Sequence, residues 1–157
     1  MPTKATLRAA ILAKLHADLG QQTAAAHLAR DEAISEESRA ENKYDTHSQE
    51  AAYLAEGQAK LAQEIADNIA MYTTLPLPDF PAGAAIAAGA VVGLAAGRAT
   101  TWYLIGPRAG GLQIAAGDRE ILVITPQSPL GRELLGKRAG ETVRLPGRPP
   151  TTIVAIE

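Results

Sequence analysis

Residues 73–83, TTLPLPDFPAG, divide the chain into two stretches of unlike texture. The prolines at 76, 78 and 81 have no amide N–H to donate and cannot extend a helix, so a preceding helix ends here and an extended linker follows. Upstream, no proline occurs after Pro2, and apolar side chains recur at helical spacing. Downstream, short apolar runs alternate with glycine and proline, the texture of strands and turns. The expected class is α+β: a helical hairpin over residues 1–75, a linker over 76–83, and a small antiparallel sheet with one helix over 84–157.

In the upstream stretch, Leu7, Ile11, Leu15, Leu19, Gln22, Ala26, Ala29 and Ala33 follow steps of three and four, a heptad-like stripe. A second stripe is expected at Leu54, Leu61, Ile65, Asn68 or Ile69, and Tyr72. Ile34–Ser48 between them is polar and rich in residues that favour caps and turns. Two helices joined by a polar tip make an antiparallel coiled coil, the first about 45 Å long at 1.5 Å per residue. The first stripe shrinks from leucine to alanine toward the tip. Alanine pairs bury little area, so a slender projection accounts for the taper better than half of an ordinary bundle.

In the downstream stretch, strands are expected at Gly89–Leu94, Ala99–Ile105, Ile121–Thr125, Thr142–Leu145 and Thr151–Ile156. Ser128 is placed to cap a short helix with Pro129 at its first position and Gly136 just past its end.

Composition narrows the function. The 157 residues suit one domain or two very small ones. Aromatic residues are scarce, so the core must be aliphatic. With no cysteine there is neither a disulfide framework nor a thiolate metal site, and a cytoplasmic protein is expected. The first residues, MPTKATLRAAILAKL, are amphipathic and carry charge throughout, unlike a signal peptide. Residues 80–97 are uncharged but consist mainly of Ala and Gly, which drive membrane insertion weakly; they are read as a strand with its flanks.

Charge is unevenly spread. Seven Lys and Arg face eleven Asp and Glu through Leu75, whereas eight face six from Pro76 onward. Acid is densest over residues 31–45, where Asp31, Glu32, Glu36, Glu37, Glu41 and Asp45 meet only Arg39 and Lys43. That patch is ill suited to phosphate backbones and better suited to a hard cation or a basic surface. It is equally what a solvated loop with capping residues looks like.

Self-contained catalysis finds little support. His16, His27 and His47 are dispersed and form no metal-ligand motif. Ser128 lies in no GxSxG context. The run GPRAGG at 106–111 lacks the Lys-Ser/Thr of a phosphate loop and is read as a turn between strands.

The segment Ser128–Val143, SPLGRELLGKRAGETV, resembles the S-P-hydrophobic-x-R-x-L-hydrophobic-G-K-x-x-G-D-x-V stretch of the bacterial Gre transcription factors, GreA and GreB. Ala88–Leu94 and Thr101–Gly106 (TWYLIG) resemble two of that family's strands. Glu41–Tyr44 (ENKY), followed by Tyr53–Gly57, resembles its tip and the start of its second helix.

The resemblance implies a coiled coil followed by an FKBP-like domain. It implies an accessory factor, not itself an enzyme, that acts at the secondary channel of bacterial RNA polymerase. In that family the globular domain docks at the channel rim and the hairpin reaches the catalytic centre, where two tip carboxylates help the polymerase cut backtracked RNA. Glu41 matches one acid; Ser38 stands where the family has the other, an Asp, with Glu37 or Asp45 as neighbouring substitutes. Glu41 and Glu37 are thus the expected ligands of a Mg²⁺ that the polymerase supplies, near the RNA 3′ end, and no cofactor of the chain's own is expected. A serine hydroxyl is a far weaker ligand than a carboxylate. The departure leaves two readings: cleavage stimulation, or occupation of the channel that modulates or inhibits transcription without cleavage. Leu130, Arg132, Lys137 and Arg138 are the expected partner contacts. The three cations also read as charge compensation at a helix C-terminus, and Leu130 as core filling. Two other classes stand beside these: a peptidyl-prolyl isomerase, for which only Trp102 and Tyr103 supply aromatic walls, and a coiled-coil interaction module outside transcription. A monomer is expected.

Overall fold

The computed structural model describes residues 2–39 and 46–157, with side chains for all of these except 36–39 and 46–48. Two helices, α1 (Lys4–Arg39) and α2 (Thr46–Thr74), precede six strands and one short helix: β1 (Val91–Ala96), β2 (Ala99–Ile105), β3 (Gln113–Ala116), β4 (Arg119–Ile124), α3 (Pro129–Leu134), β5 (Thr142–Val143) and β6 (Thr151–Ile156). The α+β class and the order, hairpin before sheet, are as the sequence implies. The chain forms two compact units, one of residues 12–72 and one of residues 1–11 with 73–157.

In the hairpin unit, the stripe expected on α1 faces inward. Leu15, Ala29 and Ala33 are buried, while Leu19, Gln22 and Ala26 are half-buried. The amide oxygen of Gln22 is buried there without a hydrogen-bond partner among the described residues. The stripe expected on α2 is only half right. Ile65, Asn68, Ile69 and Tyr72 turn inward, but Leu54 and Leu61 are 54% and 45% exposed. Ala51, Ala55, Gln58 and Ala62 take the inner positions in their place. Helices that meet through alanine approach closely, and leucine is displaced to the flank.

In the sheet unit, the start of α1 is held by named contacts. Thr3 precedes the helix and accepts the Thr6 N–H on its hydroxyl at 3.0 Å, satisfying one of the free amides of the first turn. Lys4 donates to the carbonyl oxygens of Gly89 (3.1 Å) and Glu157 (2.8 Å), and its ammonium stands 5.6 Å from the centre of the Phe80 ring. Arg8 donates to the carbonyls of Thr73 and Leu75 at 3.1 and 2.7 Å, closing the last turn of α2 just before Pro76.

The six strands form one sheet in the order β3-β4-β2-β1-β6-β5. An antiparallel sheet is expected from the sequence, but the sheet is mixed: β2 and β4 pair in parallel, with Trp102 opposite Ile121 and Ile105 opposite Ile124. The GPRAGG run explains this. It is no tight turn but a crossover that carries the chain past β4 to the sheet edge. Ala109 and Gly111 turn at positive φ (63° and 92°), and the Gly106 and Gly111 amides donate to Ile124 and Val123 of β4. The edge strand β3 (QIAA) was not among the expected strands. Further along, β5 stops at Val143, short of the expected Leu145.

One sheet face and α3 enclose the core. Val92, Leu94, Ile105, Ile124, Val143 and Ile153 are buried with Ile86, Ala90 and Leu134, and Phe80, Tyr103, Leu122, Leu130 and Ile156 pack at the margin. On the other face, Trp102 lies across Gly93, its β1 partner, and the Arg119 guanidinium stacks 3.6 Å from the ring centre. Arg119 in turn donates to the Glu157 carboxylate at 2.8 Å.

Candidate functional site

The segment that resembles the Gre factors folds into a short, tightly fastened helix. Ser128 caps α3: its hydroxyl accepts the Gly131 N–H at 3.0 Å and donates to the Thr125 carbonyl at 2.7 Å. Pro129 follows at the first helical turn, where its missing N–H costs nothing. Past the helix, Gly136 turns at φ 81°. Its N–H donates to the Ile86 carbonyl at 2.9 Å, and the Lys137 carbonyl accepts the Ile86 N–H at 2.8 Å. The Gly-Lys turn is thereby fastened to the start of the sheet unit.

Beside α3 lies a concavity of about 350 Å³. Tyr103, Leu122 and Ile124 of the sheet form its floor, Pro129 and Leu130 of α3 one wall, and Leu145 and Pro146 the other. A smaller hollow of about 50 Å³ adjoins it, sharing Tyr103, Leu130, Leu145 and Arg148. Arg148, exposed at the rim, is the one charged residue lining either among the described residues. An apolar floor with a single cation at its mouth suits an apolar side chain that arrives beside a carboxylate.

Of the four expected contact residues, Leu130 alone lines the concavity. Leu130 is half-buried, packed on the core margin, and lines the concavity. Arg132 is exposed on α3. The Lys137 side chain is half-buried beyond the helix. Arg138 is engaged structurally: its guanidinium donates to the Gly83 carbonyl and its N–H to the Glu141 carboxylate. Arg148 was absent from the expected set. It lies in the β5–β6 connection, ten positions beyond Arg138 and in no recognisable motif.

At the other expected site, Glu41 and Asp45 lie outside the described residues. Glu37 and Ser38 stand in the last turn of α1, and their side chains lie outside them too. Among the described residues no group of three or more His, Asp or Glu could hold a metal, and no helix is long and apolar enough to cross a membrane.

No protein-family model and no curated protein matches the chain. Solved structures similar to it include the transcription factor Gfh1, at 19% identity over 94% of this chain and 93% of that one, with a TM-score of 0.39. They also include GreA factor homolog 1 (Gfh1) of Thermus thermophilus, at 18% identity over 93% and 94% with a TM-score of 0.39. Gfh1 of Thermus aquaticus is 19% identical over 90% of each chain, with a TM-score of 0.36.

Proposed function

We propose that this chain is an accessory factor of bacterial RNA polymerase that docks through the concavity beside α3 and presents the tip of its hairpin to the polymerase active centre. The observation that carries the reading is the Ser128–Val143 segment. The residues that resemble the Gre factors are those that cap α3, turn at Gly136 and border an apolar concavity. The order of hairpin and sheet is in keeping with it.

At the tip, Glu41 and Glu37, the latter next to Ser38 in the sequence, would hold a Mg²⁺ that the polymerase supplies. Mg²⁺ accepts one or two carboxylates readily, and bound there it would supply Lewis-acid activation of water for hydrolysis of the RNA phosphodiester. The polymerase supplies the active centre, and this chain supplies the carboxylates.

Ser38 favours a second reading. With one acid fewer than the Gre pattern, the hairpin occupies the channel and modulates or inhibits transcription without cleavage.

RNA cleavage in purified backtracked elongation complexes, with wild type beside Glu41→Ala, tests both. Faster cleavage that the mutant loses establishes the trans-acting carboxylate. Binding with altered elongation and no cleavage selects the second reading. Absence of polymerase binding overturns the proposal.

A further inference from the structure

One flank of the hairpin carries a groove of about 500 Å³, lined on α1 by Thr23, His27 and Arg30 and on α2 by Glu56, Ala59 and Gln63. Each of these follows an inward-facing residue by one position, a rotation of about 100° around its helix. Because the helices run antiparallel, the same offset leads to the same side on both. The residues that precede the inward positions therefore share the opposite flank. Three of them are exposed leucines: Leu28 (70%) before Ala29, Leu54 (54%) before Ala55, and Leu61 (45%) before Ala62. Gly57 lies on this flank too, and a Cβ there would meet no atom within 4 Å. The groove runs from Leu19 and Ala66 at one end to Arg30 and Ala55 at the other, which sets Leu28 level with Gly57. The leucines thus border a notch, made by a helix-interior glycine that costs about 1 kcal/mol against alanine. Acids bracket the patch. Glu32 and Glu50 lie on this flank where α1 ends and α2 begins, and Glu64 lies beyond Leu61, all three exposed. No Lys or Arg among the described residues shares the flank between them.

We propose that this leucine face receives an apolar segment of the polymerase flanked by Lys or Arg side chains, with one apolar side chain entering the notch at Gly57. The inference rests on the proposed function, which brings a single hairpin into the polymerase. An apolar patch bracketed by one sign of charge complements an apolar segment bracketed by the other, and the same charges reject acidic partners. The hairpin's interior is closed by alanine, so the leucines' area is available to a contact outside the chain.

Titration of purified polymerase with the full chain tests this. The double variant Leu54→Gln, Leu61→Gln should bind about tenfold more weakly, with helicity by circular dichroism unchanged because glutamine and leucine have similar helix propensities. Gly57→Gln fills the notch with a better helix former, so it should raise the melting temperature while lowering affinity. Glu32→Lys with Glu64→Lys should also lower affinity, by setting like charges against the partner's cations. Ala59→Gln, on the opposite flank, should bind as the wild type does. Leucine variants that bind like the wild type overturn the inference and leave the proposed function standing. So does an equal loss in Ala59→Gln, or tighter binding by the Glu32→Lys, Glu64→Lys chain. A wild type that does not bind polymerase at all removes the proposed function, and this inference with it.

Discussion

Gly131 of α3 sits so close to the carbonyl oxygen of Thr125 that a Cβ at position 131 would fall far inside van der Waals contact with it, and only 2.9 Å from the Ser128 hydroxyl oxygen. The oxygen belongs to the backbone and already accepts from Ser128, so it cannot swing aside. Gly131→Ala should cost about 3 kcal/mol in urea unfolding, the upper end of overpacking penalties, against about 1 kcal/mol for loss of the cap in Ser128→Ala.

Lys4 links proton binding to stability. Burial pushes its amine below the usual lysine range, and this outweighs the opposing pull of Asp79 and Glu157. With the folded-state pKa below the unfolded one, the unfolded chain holds more protons between the two values, so this residue's contribution to stability rises with pH through that window and levels off near the unfolded pKa of 10.5. The stability of wild type relative to Lys4→Met should therefore increase as pH climbs toward that value. A difference that shrinks over the same range would contradict the linkage.

Trp102 is held on both sides, by Gly93 below and Arg119 above, and a Cβ at Gly93 would come within 2.8 Å of its ring. Gly93→Ala should push the ring against the guanidinium and cost about 1–3 kcal/mol. In a Trp102→Leu background the same change should cost little, giving a coupling energy of about 1 kcal/mol or more in a double-mutant cycle. Trp102 is the sole tryptophan, so a shift of its emission in Gly93→Ala reports the displacement directly.

What the sequence made legible tracks the size of the side chains involved. Leu7, Ile11 and Leu15 mark the buried face of α1 because large aliphatics bury the most area. Near the far end of the hairpin the helices meet through alanine, and hydrophobicity then misleads. Leu54 and Leu61 stand out in the sequence yet lie exposed, while Ala55 and Ala62 turn inward. Local turn chemistry was equally readable, from the Ser128 cap to the turn at Gly136. The parallel pairing of β2 with β4 depends on where a seven-residue connection leads, which strand patterns do not encode. The edge strand β3 has one β-branched residue in four and is defined by its partner β4.

Arg148 shows the same limit at the candidate site, since only folding brings the β5–β6 connection to the rim of a concavity walled by α3. If this concavity holds the polymerase, its lone cation selects the partner's carboxylate, and its apolar floor supplies most of the affinity. Arg148→Glu should then lower polymerase affinity about tenfold or more in a pull-down titration, with the melting temperature unchanged because the side chain is exposed. Leu130→Ala should also weaken binding, but with some loss of stability, because Leu130 packs on the core. Arg132→Ala, on α3 but outside the concavity, should leave affinity near wild type. Equal losses from Arg148→Glu and Arg132→Ala would instead mark a diffuse basic face as the contact and displace the concavity from its role.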